Sequence, residues 1–145
     1  MTDSFAAMVP HHVGVSVPDL DESIAWYGRM FGFEVETRAF IDIIPAEVAF
    51  LRRGSFRIEL FQVAGAAPLP ADRREPNRDV RTHGTKHLCY AVRDMGGTVA
   101  ELRGRGADVV FEKTVQGTPM AFIRDNAGNL IELLQAPELF PEASP

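Results

Sequence analysis

The most informative segment of the chain runs from His12 to Asp19 and reads HVGVSVPD. It returns in altered form from His87 to Asp94 as HLCYAVRD, 75 residues later. In both copies a histidine opens an apolar run, and an aspartate follows seven positions after it. A repeat of this length is too long for a solenoid unit and indicates a duplicated small module.

A second repeated motif lies further along each copy. Ile58–Gln62 reads IELFQ, and Ile131–Gln135 reads IELLQ. The spacing from the histidine to the glutamate is 47 residues in the first copy and 45 in the second. The duplication has therefore kept two imidazoles and two carboxylates, which are side chains that bind divalent metal ions.

The pattern around the first copy predicts a βαβββ module. Residues 11–17 alternate in polarity, as a strand with one face in a core does. Asp19 followed by Glu22 is typical of a helix start, and Gly32 is a suitable helix end. Three further strands are predicted between residues 33 and 63.

The whole chain, residues 1–145, is predicted to be a single domain made of two such modules. The first module covers residues 9–63, and the second covers residues 86–136. Residues 64–85 hold three prolines and four arginines with little periodicity, so we expect a linker without regular structure that is either solvated or covers a site. The tail, residues 137–145, is Pro-containing and expected to be loosely held.

The composition is that of an ordinary globular protein, with 46% apolar and 24% charged residues and a net charge of −5. Because lysine and arginine are spread along the chain, we expect neither a nucleic-acid nor a membrane partner. No apolar run is long enough to span a bilayer, and the N-terminus lacks the pattern of a secretory signal. The single cysteine, Cys89, suits a reducing compartment and predicts a cytoplasmic protein.

Strand alternation predicts that the repeated polar residues share one side of their sheets. Each histidine opens the first strand of its module on the face away from the helix, and each glutamate lies between apolar residues that must face the helix. Taken singly, each could be a solvated strand residue. Buried together, they would be stabilised by a divalent cation. The predicted ligands are His12, Glu59, His87 and Glu132.

These motifs resemble the vicinal oxygen chelate superfamily, which includes glyoxalase I, methylmalonyl-CoA epimerase, extradiol dioxygenases and bleomycin-binding proteins. The resemblance covers about residues 9–136, and GNLIE at residues 128–132 is especially similar to the last strand of the family. It implies an α+β fold in which two βαβββ modules form a cup-shaped mixed sheet around a metal site. The implied ligands are the same four residues, whereas His11 matches the ligand position less well.

The resemblance implies one divalent ion per site, with zinc, nickel, cobalt, manganese and iron all open. It is closest in motif to glyoxalase I and methylmalonyl-CoA epimerase. The expected activity is that of a lyase or isomerase acting on a small carbonyl compound by proton transfer through a metal-bound enolate, with Glu59 or Glu132 as the catalytic base. We also expect a homodimer, with the site formed within one chain or across two.

Two other classes stay open. An iron-dependent extradiol-type dioxygenase needs only two histidines and one carboxylate, so His12, His87 and Glu132 would suffice and Glu59 would be spare. A non-catalytic protein that binds a drug or metabolite would not need the ligands at all. Thiol transfer of the fosfomycin-resistance kind matches the four-residue set less well.

Several further side chains are candidates for contact with the substrate. The three predicted to bind it are Arg57, Phe61 and Cys89. Arg57 shares the face of Glu59 by alternation and can hold a carboxylate or phosphate, although a solvated strand residue is the alternative. Cys89 can also be a small packing residue. Weaker candidates are Ser16, Arg124 and, as an acid or base from the linker, His83.

Overall fold

The computed structural model describes the backbone of residues 4–142 and the side chains of residues 6–142. It divides into two compact units, and the boundary along the chain falls between Ala66 and Ala67. The first unit contains a short 3₁₀ turn followed by β1 (Val13–Ser16), α1 (Leu20–Phe31), β2 (Glu34–Ile41), β3 (Ala46–Arg53) and β4 (Phe56–Val63). The second contains α2 (Pro76–Asp79), β5 (Leu88–Val92), α3 (Met95–Gly104), β6 (Asp108–Val115), β7 (Thr118–Arg124) and β8 (Leu130–Gln135), with 3₁₀ turns at Ala71–Arg74 and Pro137–Leu139.

Each unit holds one four-stranded mixed sheet, and the two sheets have the same topology. The strand orders are β1-β4-β3-β2 and β5-β8-β7-β6. The first strand of each module runs parallel to the last, and the remaining pairs are antiparallel. Even the irregularities repeat, since the register shifts between Val35 and Thr37 and again between Val109 and Phe111. The predicted α+β fold of two βαβββ modules is confirmed.

The helix of each module begins at an aspartate cap. Asp19 accepts a hydrogen bond from the backbone N–H of Glu22 at 2.9 Å, and Asp94 accepts one from Gly97 at 3.1 Å. The helix α3 runs from Met95 to Gly104 although two glycines, Gly96 and Gly97, lie in its first turn. A Cβ atom on Gly97 would collide with the Asp94 carboxylate, so glycine at this position allows the cap to approach.

The glutamine that ends each repeated IEL motif also has a structural role. Gln62 Oε1 accepts a hydrogen bond from the backbone N–H of Leu20 at 2.6 Å, and Gln135 Oε1 accepts one from Met95 at 2.8 Å. Both donors belong to the first residue of a helix, where backbone N–H groups lack intrahelical partners. Each glutamine therefore ties the end of the last strand to the helix start of its own module.

The core lies between each helix and one face of its sheet. On β4 the side chains of Ile58 and Leu60 are fully buried, and on β8 the same holds for Ile131 and Leu133. Successive side chains of a strand alternate between faces, so the intervening glutamates lie on the face away from the helix. The predicted facing of the two IEL motifs agrees with this burial.

The segment between the modules is more ordered than its sequence suggested. It forms a 3₁₀ turn and α2, and both lie in the second unit. The carboxylate of Asp79 is almost completely buried and contacts Arg73 Nε at 2.5 Å and Lys86 Nζ at 3.1 Å. Arg124 on β7 donates to the backbone oxygen of Arg74 at 2.8 Å. Paired charges therefore order a segment for which we expected no regular structure.

The start of the tail is also held, contrary to expectation. The backbone N–H of Ala136 donates to the backbone oxygen of Val92 at 3.0 Å. The Arg93 guanidinium donates to the backbone oxygen of Pro141 at 2.9 Å. The Arg93 guanidinium lies over the Phe140 ring at 5.5 Å from its centroid. The last three residues of the predicted loose tail lie outside the described residues. Within residues 4–142, none of the helices has the length and apolar character needed to span a membrane.

Candidate metal centre

The first module brings His12 and Glu59 into contact. His12 lies one residue before β1, and the parallel pairing of β1 with β4 sets Gly14 opposite Glu59. The imidazole Nε2 is 3.0 Å from the carboxylate Oε2. Both side chains remain accessible to a ligand, with 36% of the His12 side chain and 20% of the Glu59 side chain exposed.

The second module repeats this contact with the same atoms. His87 lies one residue before β5, and the register sets Cys89 opposite Glu132. The distance from His87 Nε2 to Glu132 Oε2 is 2.8 Å. The histidine and the glutamate lie 47 positions apart in the first module and 45 in the second, yet the same strand order brings them into contact in both. The spacing alone did not reveal this contact.

An aromatic ring supports each histidine. His12 packs edge-on against Phe50 with ring centroids 5.1 Å apart, and His87 packs in the same way against Phe122 at 5.0 Å. Phe50 is the cross-strand neighbour of Glu59, and Phe122 is that of Glu132. Sequence reasoning missed both phenylalanines. A third repeated motif, AFL at residues 49–51 and AFI at residues 121–123, could have indicated them.

The two pairs fit a divalent cation by their donor chemistry. Each offers an imidazole nitrogen and a carboxylate oxygen within 3.0 Å of each other, which are the donors that zinc and related ions take. One pair alone is short of the three or four protein ligands usual in such sites. Among the residues that the structure describes, no group of three or more histidine, cysteine, aspartate or glutamate side chains is close enough to hold an ion.

His11 adds a second imidazole to the first pair. Its Nδ1 is 2.8 Å from Nδ1 of His12, and its ring stands edge-on to the ring of Phe50 at 6.0 Å. At the matching position of the second module, Lys86 instead contacts the buried Asp79. The two modules thus differ in the residue that precedes the histidine.

Arg57 is engaged by a carboxylate from β2. Its Nε and Nη2 donate to the two oxygens of Glu36 at 2.7 and 2.9 Å, and Arg52 contacts the same carboxylate at 3.5 Å. The hydrogen bond from Arg57 lowers the pKa of Glu36 despite the opposing effect of burial, and the charges of Arg57 and Arg52 lower it further. A cavity of about 380 Å³ adjoins this cluster and is lined by Glu34, Val35, Glu36, Arg52 and Gly54.

The other two predicted substrate contacts have different surroundings. The Phe61 ring covers Gly14 so closely that a Cβ atom there would lie 3.1 Å from Phe61 Cε2. Cys89 is the strand neighbour of Glu132. Burial raises the pKa of the Cys89 thiol to about 11, and the negative charge of the Glu132 carboxylate contributes to the same shift. The thiol therefore stays protonated at neutral pH. Cys89 therefore lacks the thiolate character of a nucleophile.

The weaker candidates lie in varied places. Arg124 forms ion pairs with Glu75 at 2.7 Å and Asp108 at 3.1 Å, so its guanidinium contacts two carboxylates of the second unit. Ser16 is exposed at the end of β1, and His83 is exposed in the segment between the modules. The roles of these residues in binding or catalysis remain predictions.

Comparison with known proteins identifies the class. The model of the glyoxalase/bleomycin resistance protein/dioxygenase superfamily matches residues 11–123, and the chain belongs to this superfamily. A relative from Cereibacter sphaeroides, ethylmalonyl-CoA/methylmalonyl-CoA epimerase, is 30% identical over 131 residues, which cover 86% of this chain and 96% of the relative. Human mitochondrial methylmalonyl-CoA epimerase is 27% identical over 131 residues, covering 87% of this chain and 73% of the human protein.

Solved structures show the same fold. A glyoxalase family protein from Enterococcus faecalis has a TM-score of 0.73 at 22% identity, covering 90% of this chain and 99% of that one. The trypanothione-dependent glyoxalase I of Leishmania major has a TM-score of 0.70 at 25% identity, covering 91% of this chain and 88% of that one. The family resemblance inferred from the motifs is confirmed.

Proposed function

We propose that the protein is a metal-dependent isomerase or lyase that moves a proton on the carbon beside a carbonyl group. The observation that carries this proposal is the pair of matched contacts, His12 with Glu59 and His87 with Glu132, at 3.0 and 2.8 Å. Two imidazoles and two carboxylates are a complete ligand set for one divalent ion and neutralise its charge. We propose that both pairs together hold that ion.

When bound, a divalent cation supplies a Lewis acid that stabilises negative charge developing on a carbonyl oxygen. The protein's own groups do the rest. Each glutamate directs Oε2 at its histidine, which leaves Oε1 as the second oxygen that can accept a proton from the substrate carbon. We assign this role to Glu59 or Glu132.

The surrounding side chains would orient the substrate and exclude water. Phe50 and Phe122 hold the imidazole rings edge-on and remove water from one side of each. Arg57 lies two residues from Glu59 on β4, where it would face an anionic part of the substrate after exchanging its contact with Glu36. The named activities of the relatives, methylmalonyl-CoA and ethylmalonyl-CoA epimerisation, make acidic acyl thioesters the first substrates to test.

Ring-cleaving oxygen chemistry is less well supported. A facial triad would use His12, His87 and Glu132 and leave Glu59 without a function. Yet Glu59 makes the same contact in its module as Glu132 makes in the other. This equivalence favours a four-ligand set over a triad.

The test is proton exchange. The protein loaded with Zn²⁺, Co²⁺ or Mn²⁺ is incubated with one stereoisomer of methylmalonyl-CoA in D₂O, and deuterium at the α-carbon is followed by mass spectrometry. We expect metal-dependent deuterium incorporation under anaerobic conditions. Absence of exchange with this substrate, ethylmalonyl-CoA and a panel of 2-oxoaldehyde thiol adducts would overturn the proposal. The predicted homodimer is tested separately by analytical ultracentrifugation.

A further inference from the structure

His11 makes a contact that the four-ligand set does not use. Its Nδ1 lies 2.8 Å from Nδ1 of His12, with the two rings almost perpendicular at 87°. The equivalent residue of the second module, Lys86, donates to the Asp79 carboxylate at 3.1 Å and to its backbone oxygen at 2.8 Å. Among the described residues, the imidazole–imidazole contact therefore occurs in the first module, and a lysine–aspartate contact takes its place in the second.

The contact constrains the proton on His12. Two ring nitrogens 2.8 Å apart form a hydrogen bond only when one carries a proton and the other offers a lone pair. His12 directs its opposite nitrogen, Nε2, at Glu59. If Nε2 gives its lone pair to a cation, the one proton of the neutral ring must be on Nδ1, which is the nitrogen that faces His11.

We propose that His11 is a positioning residue for His12 when the metal is bound: it accepts the Nδ1–H of that ring, so that the unprotonated Nε2 can bind the same cation as the Glu59 carboxylate. The inference rests on the proposed function, because it takes His12 as a metal ligand. Phe50 assists by packing edge-on against both rings, with centroids at 6.0 Å from His11 and 5.1 Å from His12. Without His11, the His12 ring keeps its aromatic support but loses the group that selects its protonated nitrogen.

The expected effect is a loss of metal affinity. Removal of the outer hydrogen-bond partner of a ligating histidine commonly weakens metal binding about 10- to 100-fold. His11→Phe keeps a ring against Phe50 and removes the acceptor. His11→Asn offers a side-chain oxygen in place of Nδ1 and restores an acceptor. The control is Val9→Phe, which adds an aromatic side chain at an exposed position two residues away.

Zn²⁺ binding to the full chain is measured by calorimetry. We expect His11→Phe to bind about 10- to 100-fold more weakly than the unaltered protein. His11→Asn should recover most of the affinity, and Val9→Phe should not change it. The Zn²⁺-loaded proteins are then compared by ¹⁵N NMR. His12 should show a coordinated Nε2 and a protected Nδ1–H in the unaltered chain, and that proton should exchange faster in His11→Phe, while the His87 signals stay unchanged.

The outcomes separate this inference from the function on which it rests. Equal Zn²⁺ affinity and an equally protected Nδ1–H in His11→Phe would overturn the role of His11 and leave the metal site standing. A coordinated nitrogen on His11 instead of His12 would do the same. Absence of Zn²⁺ binding by the unaltered chain would overturn both the inference and the metal-dependent function.

Discussion

At the scale of the residue, Glu59 and Glu132 are placed by their neighbours. Each stands between two fully buried aliphatic side chains, so the strand turns the carboxylate to the opposite face. There a histidine and the ring of a cross-strand phenylalanine complete its surroundings. The polar site is therefore built by the same alternation that builds the apolar core.

Glu59 is the residue whose removal best separates the enzyme classes. Glu59→Gln keeps the shape of the side chain and loses its charge. We expect turnover to fall about 10²-fold or more, the usual scale for removing a positioned base, with some metal retained. Activity should persist without oxygen when a redox-inert ion is bound.

The matched control is Glu47→Gln on β3, where an exposed carboxylate contacts Arg38 at 2.8 Å. A surface pair of this kind contributes little, so turnover should be unchanged. A fully active Glu59→Gln protein that requires Fe²⁺ and oxygen would instead indicate a dioxygenase.

Metal stoichiometry tests the second pair. His87→Ala removes the only imidazole in contact with Glu132 among the described residues. We expect stoichiometric metal to be lost, as measured by atomic emission on protein purified without chelators. His83→Ala, which alters an exposed histidine of the intervening segment, should retain it. Full metal content in His87→Ala would contradict the ligand assignment.

At the scale of the element, the repeated glutamine joins strand and helix. Gln62→Met keeps the length of the side chain and removes the acceptor for the Leu20 N–H. An unsatisfied, partly buried backbone donor costs about 1–3 kcal/mol, so the free energy of unfolding should fall by that amount in urea titrations. Gln62→Glu keeps an acceptor and should lose much less. Equal losses in both variants would show that the hydrogen bond is not what stabilises this end of α1.

The short helical turns between the two modules are held in place by ion pairs and not by an apolar face. These turns have few apolar residues to bury, and they are held by charged groups on either side. Asp79 is paired with Arg73 and Lys86, while Arg124 reaches the segment from β7. Local periodicity predicts amphipathic elements, and a segment ordered by ion pairs with distant residues does not produce that signal.

At the scale of the whole molecule, metal binding should be linked to stability. A ligand that binds only the folded state stabilises it by mass action, by about 2.7 kcal/mol at 100 times the dissociation constant. For a chain of 145 residues this corresponds to a rise in melting temperature of about 5 to 10 °C. A chelator should lower the melting temperature, and added Zn²⁺, Ni²⁺, Co²⁺ or Mn²⁺ should restore it. An unchanged melting curve after verified removal of metal would count against a preformed site.

The amino-acid sequence was sufficient to predict the two βαβββ modules, the facing of the first and last strand of each module, and the four candidate ligands. These features depend on period-two alternation, on helix caps within three residues and on a duplication visible by direct comparison. Alternation and helix caps are visible within a few residues, and the duplication is visible when the chain is compared with itself. None of these signals requires knowledge of which strands pair.

The contacts between these residues could not be predicted from the sequence, because they depend on how the strands pair. The contact of His12 with Glu59 needs β1 to lie beside β4, and Phe50 joins them through the register of β3. Glu36 reaches Arg57 at the irregularity in β2, where simple alternation fails. Strand order, register and bulges depend on how apolar faces pack over long sequence separations, and no short window of sequence contains that information.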